Sequence, residues 1–150
     1  SGNKFWVYLT ANTSDLNSSD INGYAIGVNF TGTTDLLTLW KITNNDVETA
    51  IITSSIDWSK NETMGIKVTR TSNGLWSLLV DNNGGFDNLV ISGTSSINTD
   101  YTFNNYFGLH YTCTATRAGF LWFDDLLITT TAPKIEPTIS PKFSELACTA

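Results

Sequence analysis

The run GIKVTRTSNGLWSLLVD, residues 65–81, constrains the fold more than any other stretch of this chain. Apolar and polar side chains alternate on both sides of Asn73-Gly74. Ile66 and Val68 fall on one face of an extended chain, Lys67 and Thr69 on the other; Trp76, Leu78 and Val80 share a face in the second half. Period-two alternation around an Asn-Gly pair is the signature of a β-hairpin. Strands apolar on one side belong to antiparallel sheets with one wet face.

The same rhythm runs through the chain. KFWVYLT (4–10), GYAIGVNF (23–30), DLLTLWKI (35–42), TAIITS (49–54), FDNLVIS (86–92), YFGLHYTC (106–113) and FLWFDDLLIT (120–129, with Thr130) read as further strands. Clusters of Gly, Asn, Asp, Ser and Thr separate them: ANTSDLNSSDIN, TGTT, TNNDV, NNGG, GTSSINTD and TATRAG. No segment keeps a helical period over ten residues, although the Ser54–Asn61 connection has room for one short helix. Roughly nine short strands with regular turn signals predict an all-β antiparallel sandwich.

After Thr130 the character changes. All three prolines, Pro133, Pro137 and Pro141, lie in one short stretch. Residues 1–130 are therefore read as one domain, 131–142 as an extended linker, and 143–150 as the start of a following domain. The chain is expected to be a piece of a longer protein. Cys113 and Cys148 have a pairing that sequence alone does not decide.

Charge narrows the function classes. The net charge is −6, and the eight Lys and Arg residues are scattered. No basic stripe exists for neutralising phosphates, so no nucleic-acid partner is expected. No apolar run reaches the roughly 18 residues of a membrane helix, so no membrane span is expected. Many Asn, Thr, Gly and aromatic residues with few charges lean towards an extracellular β-protein.

Catalytic patterns are missing. A glycosidase needs two carboxylates flanking one bond, and Glu48, Glu62, Glu136 and Glu145 form no such pattern. Asp124 and Asp125 are consecutive, so a strand would send them to opposite faces. His110 has no nucleophile-elbow motif with it and reads as a strand histidine among aromatics. DNNGGFDN (81–88) has the oxygens of a calcium loop but not EF-hand spacing, and reads as a turn. Aromatic residues are the other candidates, since sugars stack on Trp or Tyr. Tyr24, Trp40, Trp58 and Tyr106 are the chosen ligand-binding residues, with Tyr101 a further candidate; Trp6, Trp76 and Trp122 read as core.

The pair in FLWFDDLLIT needs a reason, because a buried carboxylate must be paired, hydrogen-bonded or metal-bound. Lys67, Val68, Thr69, Arg70, Gly74, Trp76 and Leu78, then Phe107, Gly108, Thr116 and Arg117, then Phe123, Asp124 and Asp125, follow one another in an order that resembles concanavalin A-like lectin/glucanase (laminin-G-like) domains of large secreted bacterial proteins. The resemblance covers about residues 4–130. It implies a jelly-roll sandwich, a structural Ca²⁺ held by Asp124 with Asp125 second, and further strands before the first one here. The glucanase glutamates have no counterpart, so that activity does not carry over. The expected protein is a non-catalytic recognition or adhesion module at the cell surface or outside the cell, with a glycan as partner. One alternative is a structural spacer contacting neighbouring domains or a secretion-machinery partner. The other is a glycan-active hydrolase built from carboxylates on separate strands.

Overall fold

The computed structural model describes residues 3–58, 63–102 and 104–129. The proposed linker, the following segment and Cys148, with its pairing to Cys113, lie outside the described residues. Nine strands form among the described residues: β1 (Lys4–Ala11), β2 (Gly23–Val28), β3 (Leu36–Thr43), β4 (Asp46–Asp57), β5 (Gly65–Arg70), β6 (Leu75–Asp81), β7 (Val90–Ile91), β8 (Ser96–Ile97) and β9 (Tyr106–Thr112). One sheet has the order β4-β3-β2-β1-β9; the other has β5-β6-β7, with β8 also on β6. All pairings are antiparallel. No helix among the described residues is long and apolar enough to cross a membrane.

The two sheets share one core, as in a β-sandwich. Phe5, Tyr24, Ile26, Val28, Leu37 and Leu39 from the larger sheet meet Trp76, Leu78 and Val80 from the smaller. Alternation explains the β6 contribution, since every second residue from Trp76 to Val80 is buried.

The larger sheet departs from the expected single wet face. All six β2 residues are buried. On the face turned away from the second sheet, Trp6, Tyr8, Ala11, Ala25, Trp40 and Ile42 form a second apolar cluster with Ile21, and Leu16, Phe30 and Val47 pack over it. Loops therefore roof this face, and small residues make room beneath. Gly27 lies opposite Trp6 in the β1–β2 register. A Cβ on Gly27 would sit 2.5 Å from the Trp6 Cα and 2.1 Å from the Phe5 carbonyl oxygen.

Turn chemistry follows the sequence closely. Asn44 and Asn45 both take left-handed backbone between β3 and β4, as a two-residue type I′ connection requires. The β5–β6 connection is longer, over residues 71–74: Gly74 alone is left-handed, and its N–H donates to the Thr71 carbonyl at 2.9 Å. In the 81–88 turn, the buried Asp81 carboxylate accepts from the backbone N–H groups of Asn83 (3.0 Å) and Asn88 (2.9 Å). Among the described residues, this is the buried acid that needs partners, and the loop backbone supplies them.

Three expectations are corrected. The strand expected over 49–54 runs instead from Asp46 through Asp57, and part of the connection given room for a short helix lies outside the described residues. The strand expected over 86–92 shrinks to Val90–Ile91, because the turn held by Asp81 runs on through Asn88 and Gly93 turns left-handed where the chain passes within contact of β4. Residues 120–129 form no strand; a 3₁₀ turn at Ala115–Arg117 precedes them. Asp125 has φ 49°, which interrupts extended backbone. Leu121 and Phe123 still pack on the shared core, while Trp122, expected in the core, is 84% exposed.

Candidate functional site

A hollow of about 260 Å³ opens on the roofed face of the larger sheet, lined by Lys4, Trp6, Leu16, Asn17, Phe30, Asn45, His110 and Thr112. Its floor comes from strand register. Trp6 on β1 pairs with His110 on β9, and an antiparallel pair places opposing side chains on the same face. The two rings stack with centroids 4.3 Å apart and planes 3° apart. Phe30 tilts against Trp6 at 4.2 Å and reaches Trp40 at 5.7 Å.

Each wall has its own support. Phe30 follows β2 because Asn29 ends that strand in left-handed backbone. The Asn29 side chain accepts from the Asp35 N–H at 3.0 Å and donates to the Asn3 carbonyl at 3.3 Å, which closes the 29–35 loop. Asn17 stands in the 12–22 loop. That loop is closed by Asn22 N–H donating to the Asn12 side chain at 2.7 Å, and by Asp15 accepting from Asn17 N–H at 3.0 Å. Asn45 N–H donates to the Ile21 carbonyl at 2.9 Å, tying the β3–β4 turn to the same loop. Leu16 rests over Gly108, where a Cβ would come 2.5 Å from its Cδ1.

The electrostatics of the hollow are one-sided. Its lining includes the Lys4 ammonium and no carboxylate. Lys4 Nζ lies 5.9 Å from the Trp6 ring centre, within cation–π range. Burial lowers the His110 pKa below the ordinary imidazole value, and the Lys4 charge lowers it further. His110 Nε2 lies 3.3 Å from the Thr112 hydroxyl. Burial raises the Tyr8 hydroxyl pKa, offset in part by the nearby Trp6 indole. Even so, neither the Trp6 Nε1–H nor the Tyr8 hydroxyl makes a well-formed hydrogen bond.

The residues chosen from sequence do not converge. Tyr24 is fully buried between the sheets. Its hydroxyl accepts from Tyr101 N–H at 3.1 Å and donates to the Asn98 side chain. Trp40 belongs to the roofed face but is 4% exposed beneath Phe30. Trp58 is half-buried, edge-on to Phe5 at 4.8 Å. Tyr106 is exposed at the start of β9, opposite Ala11. Tyr101 anchors a loop instead: its carbonyl accepts from Arg70 Nη1 at 2.8 Å.

Asp124 and Asp125 are exposed, so the cost of burial that motivated a partner does not arise. No group of three or more His, Cys, Asp or Glu side chains gathers among the described residues. Two carboxylates alone supply fewer than the six to eight oxygens that Ca²⁺ takes, the rest of which carbonyls and water would have to provide.

Reasoning from sequence assigned Trp6 to the core, where it lies, but did not single out the hollow beside it. A signal was present in KFWVYLT, where both registers are apolar: Phe5, Val7 and Leu9 in one, Trp6 and Tyr8 in the other. A strand of that kind covers both its faces, so the second face must carry a roof or a site.

No protein-family model, curated protein or solved structure matches this chain.

Proposed function

We propose that this β-sandwich is a non-catalytic carbohydrate-recognition module of a larger secreted or cell-surface protein, with the hollow beside Trp6 and His110 as its binding site. The observation that carries the reading is the make-up of the hollow: aromatic rings of Trp6, Phe30 and His110 beside the amides of Asn17 and Asn45, the Thr112 hydroxyl and the Lys4 ammonium. Sugars present apolar C–H faces and a rim of hydroxyls, which suits rings flanked by fixed polar groups. Its volume falls below the roughly 300–1,000 Å³ of sites for drug-sized ligands, which matches a single sugar unit. No carboxylate pair lines it, which supports binding over hydrolysis. Jelly-roll connectivity is part of this proposal.

Screening the protein on a glycan array, followed by calorimetric titration of the hits, tests the reading. Saturable binding that Phe30→Ala and Asn17→Ala weaken is expected. Absence of binding to every glycan, or binding indifferent to both substitutions, would reject the hollow as a sugar site.

The spacer reading has an observation of its own. Phe120, Trp122, Leu127 and Ile128 are exposed along one segment, and exposed apolar groupings mark contact surfaces. A neighbouring domain is the partner this reading requires. Limited proteolysis that cuts within 120–128 of the isolated domain, but not of a longer natural protein, would support it.

A further inference from the structure

We infer that the hollow beside Trp6 selects an acidic sugar, one whose carboxylate or sulfate is held at Lys4. The inference rests on the proposed carbohydrate reading and adds the ligand's charge. Three observations on the hollow carry it.

The first is charge placement. The chain carries net charge −6, so most of its surface repels anions. The hollow lining holds an ammonium group and no Asp or Glu. Lys4 makes no ion pair among the described residues. Lys41, by contrast, is neutralised by Asp100 at 2.6 Å.

The second is the balance of donors and acceptors. Lysine offers donors only, while the Trp6 Nε1–H is buried beside the Tyr8 hydroxyl and makes no well-formed hydrogen bond among the described residues. Asn17, Asn45 and Thr112 can donate as well. A carboxylate or sulfate offers acceptors only, and hydrogen bonds to a charged acceptor are stronger than neutral ones.

The third is rigidity. Lys4 opens β1 and pairs with Thr112 in the β1–β9 register. Its ammonium lies near the Trp6 ring, which is itself fixed by His110 and Phe30. Strand pairing fixes the base of this side chain, and the contact with the Trp6 ring holds its ammonium at the edge of the hollow. Burial and Lys4 both disfavour a cationic His110, which leaves Lys4 as the charged contact at neutral pH.

The experiment is a calorimetric comparison of galacturonic acid trisaccharide with its methyl ester, which keeps the shape and removes the charge. A sulfated galactose trisaccharide and its unsulfated form make a second pair. At least one acidic member should bind about tenfold more tightly than its neutral counterpart. Rising salt should weaken that preference, and Lys4→Met should abolish it while Lys67→Met, on the exposed side of β5, leaves it intact. Equal binding of charged and neutral members overturns the acidic-sugar inference and leaves the carbohydrate reading standing. A preference that survives Lys4→Met also overturns the inference. Binding of none of the four, together with a blank glycan array, removes both.

Discussion

Trp6 and His110 lie parallel across the β1–β9 pairing, 4.3 Å between ring centres, and this stack is the floor on which the hollow is built. The contact joins the first and last strands of the larger sheet's β1–β9 edge. It also keeps the imidazole away from water and close to Lys4. Both effects favour the neutral ring.

Stability should therefore depend on pH through His110. Its pKa in the folded chain lies below the ordinary value, near 6.5 in an unfolded chain. Above about pH 6.5 the ring is neutral in both states and costs nothing. As pH falls below that value, the unfolded chain takes up the proton first. Stability drops until the folded-state pKa is reached, and the loss stays constant beneath it. Urea midpoints measured across this window should fall for the natural chain, and His110→Gln should flatten that slope. An unchanged slope in the variant would show that other groups set it.

Gly27 should resist substitution. A methyl group there meets backbone atoms of Phe5 and Trp6 at 2.1 and 2.5 Å, and strand backbone has no room to yield. Gly27→Ala is expected to cost at least about 1–3 kcal/mol, the usual range for overpacking. Lys67→Ala, exposed on β5, should stay within about 0.5 kcal/mol. Denaturant unfolding of the two variants checks the contrast.

The loop before β9 should depend on one guanidinium and one hydroxyl. Arg70 lies 5.2 Å from the Tyr24 ring and 5.1 Å from the Trp76 ring. It donates to the carbonyls of Tyr101 and Asn98. Lysine cannot reproduce a planar, forked donor between rings. Tyr24→Phe leaves the Tyr101 N–H and the Asn98 side chain short of a partner, at about 1–3 kcal/mol. Thermal unfolding should show a loss for Arg70→Lys as well as for Tyr24→Phe; a neutral result for both would remove this network from the account.

Phe30 gives a gentler probe of the hollow, being only half-buried. Its ring touches Trp6 and Trp40 without belonging to a strand. Phe30→Ala should weaken sugar binding by up to about tenfold, since aromatic contacts add roughly 0.5–1.5 kcal/mol beyond area. The far-ultraviolet spectrum should not change. A full-strength titration with the variant would take Phe30 out of the site.

Much of the architecture is legible from residue alternation. Trp76, Leu78 and Val80 share the buried face their spacing assigns, and Asn44-Asn45 turns where the Asn-rich break falls. The segment 120–129 misleads because its apolar content suits a strand while Asp125 leaves extended geometry, and no partner strand lies beside it among the described residues. The exposed positions of Asp124 and Asp125 follow from the same break. The site itself was hidden for another reason. Trp6 and His110 are far apart in sequence, and only the pairing of β1 with β9 puts them on one face. Alternation assigns each residue a face of its own strand, but not which strand lies alongside.

The most direct test of the binding account is a ¹H–¹⁵N spectrum of the protein titrated with the galacturonic acid and sulfated galactose trisaccharides. The account predicts saturable shifts at the Trp6 indole N–H, the side-chain amides of Asn17 and Asn45, and the backbone of Lys4 and Thr112, with Trp76 and Tyr101 unmoved. Shifts centred elsewhere on the molecule, or none at any of these groups, would contradict it.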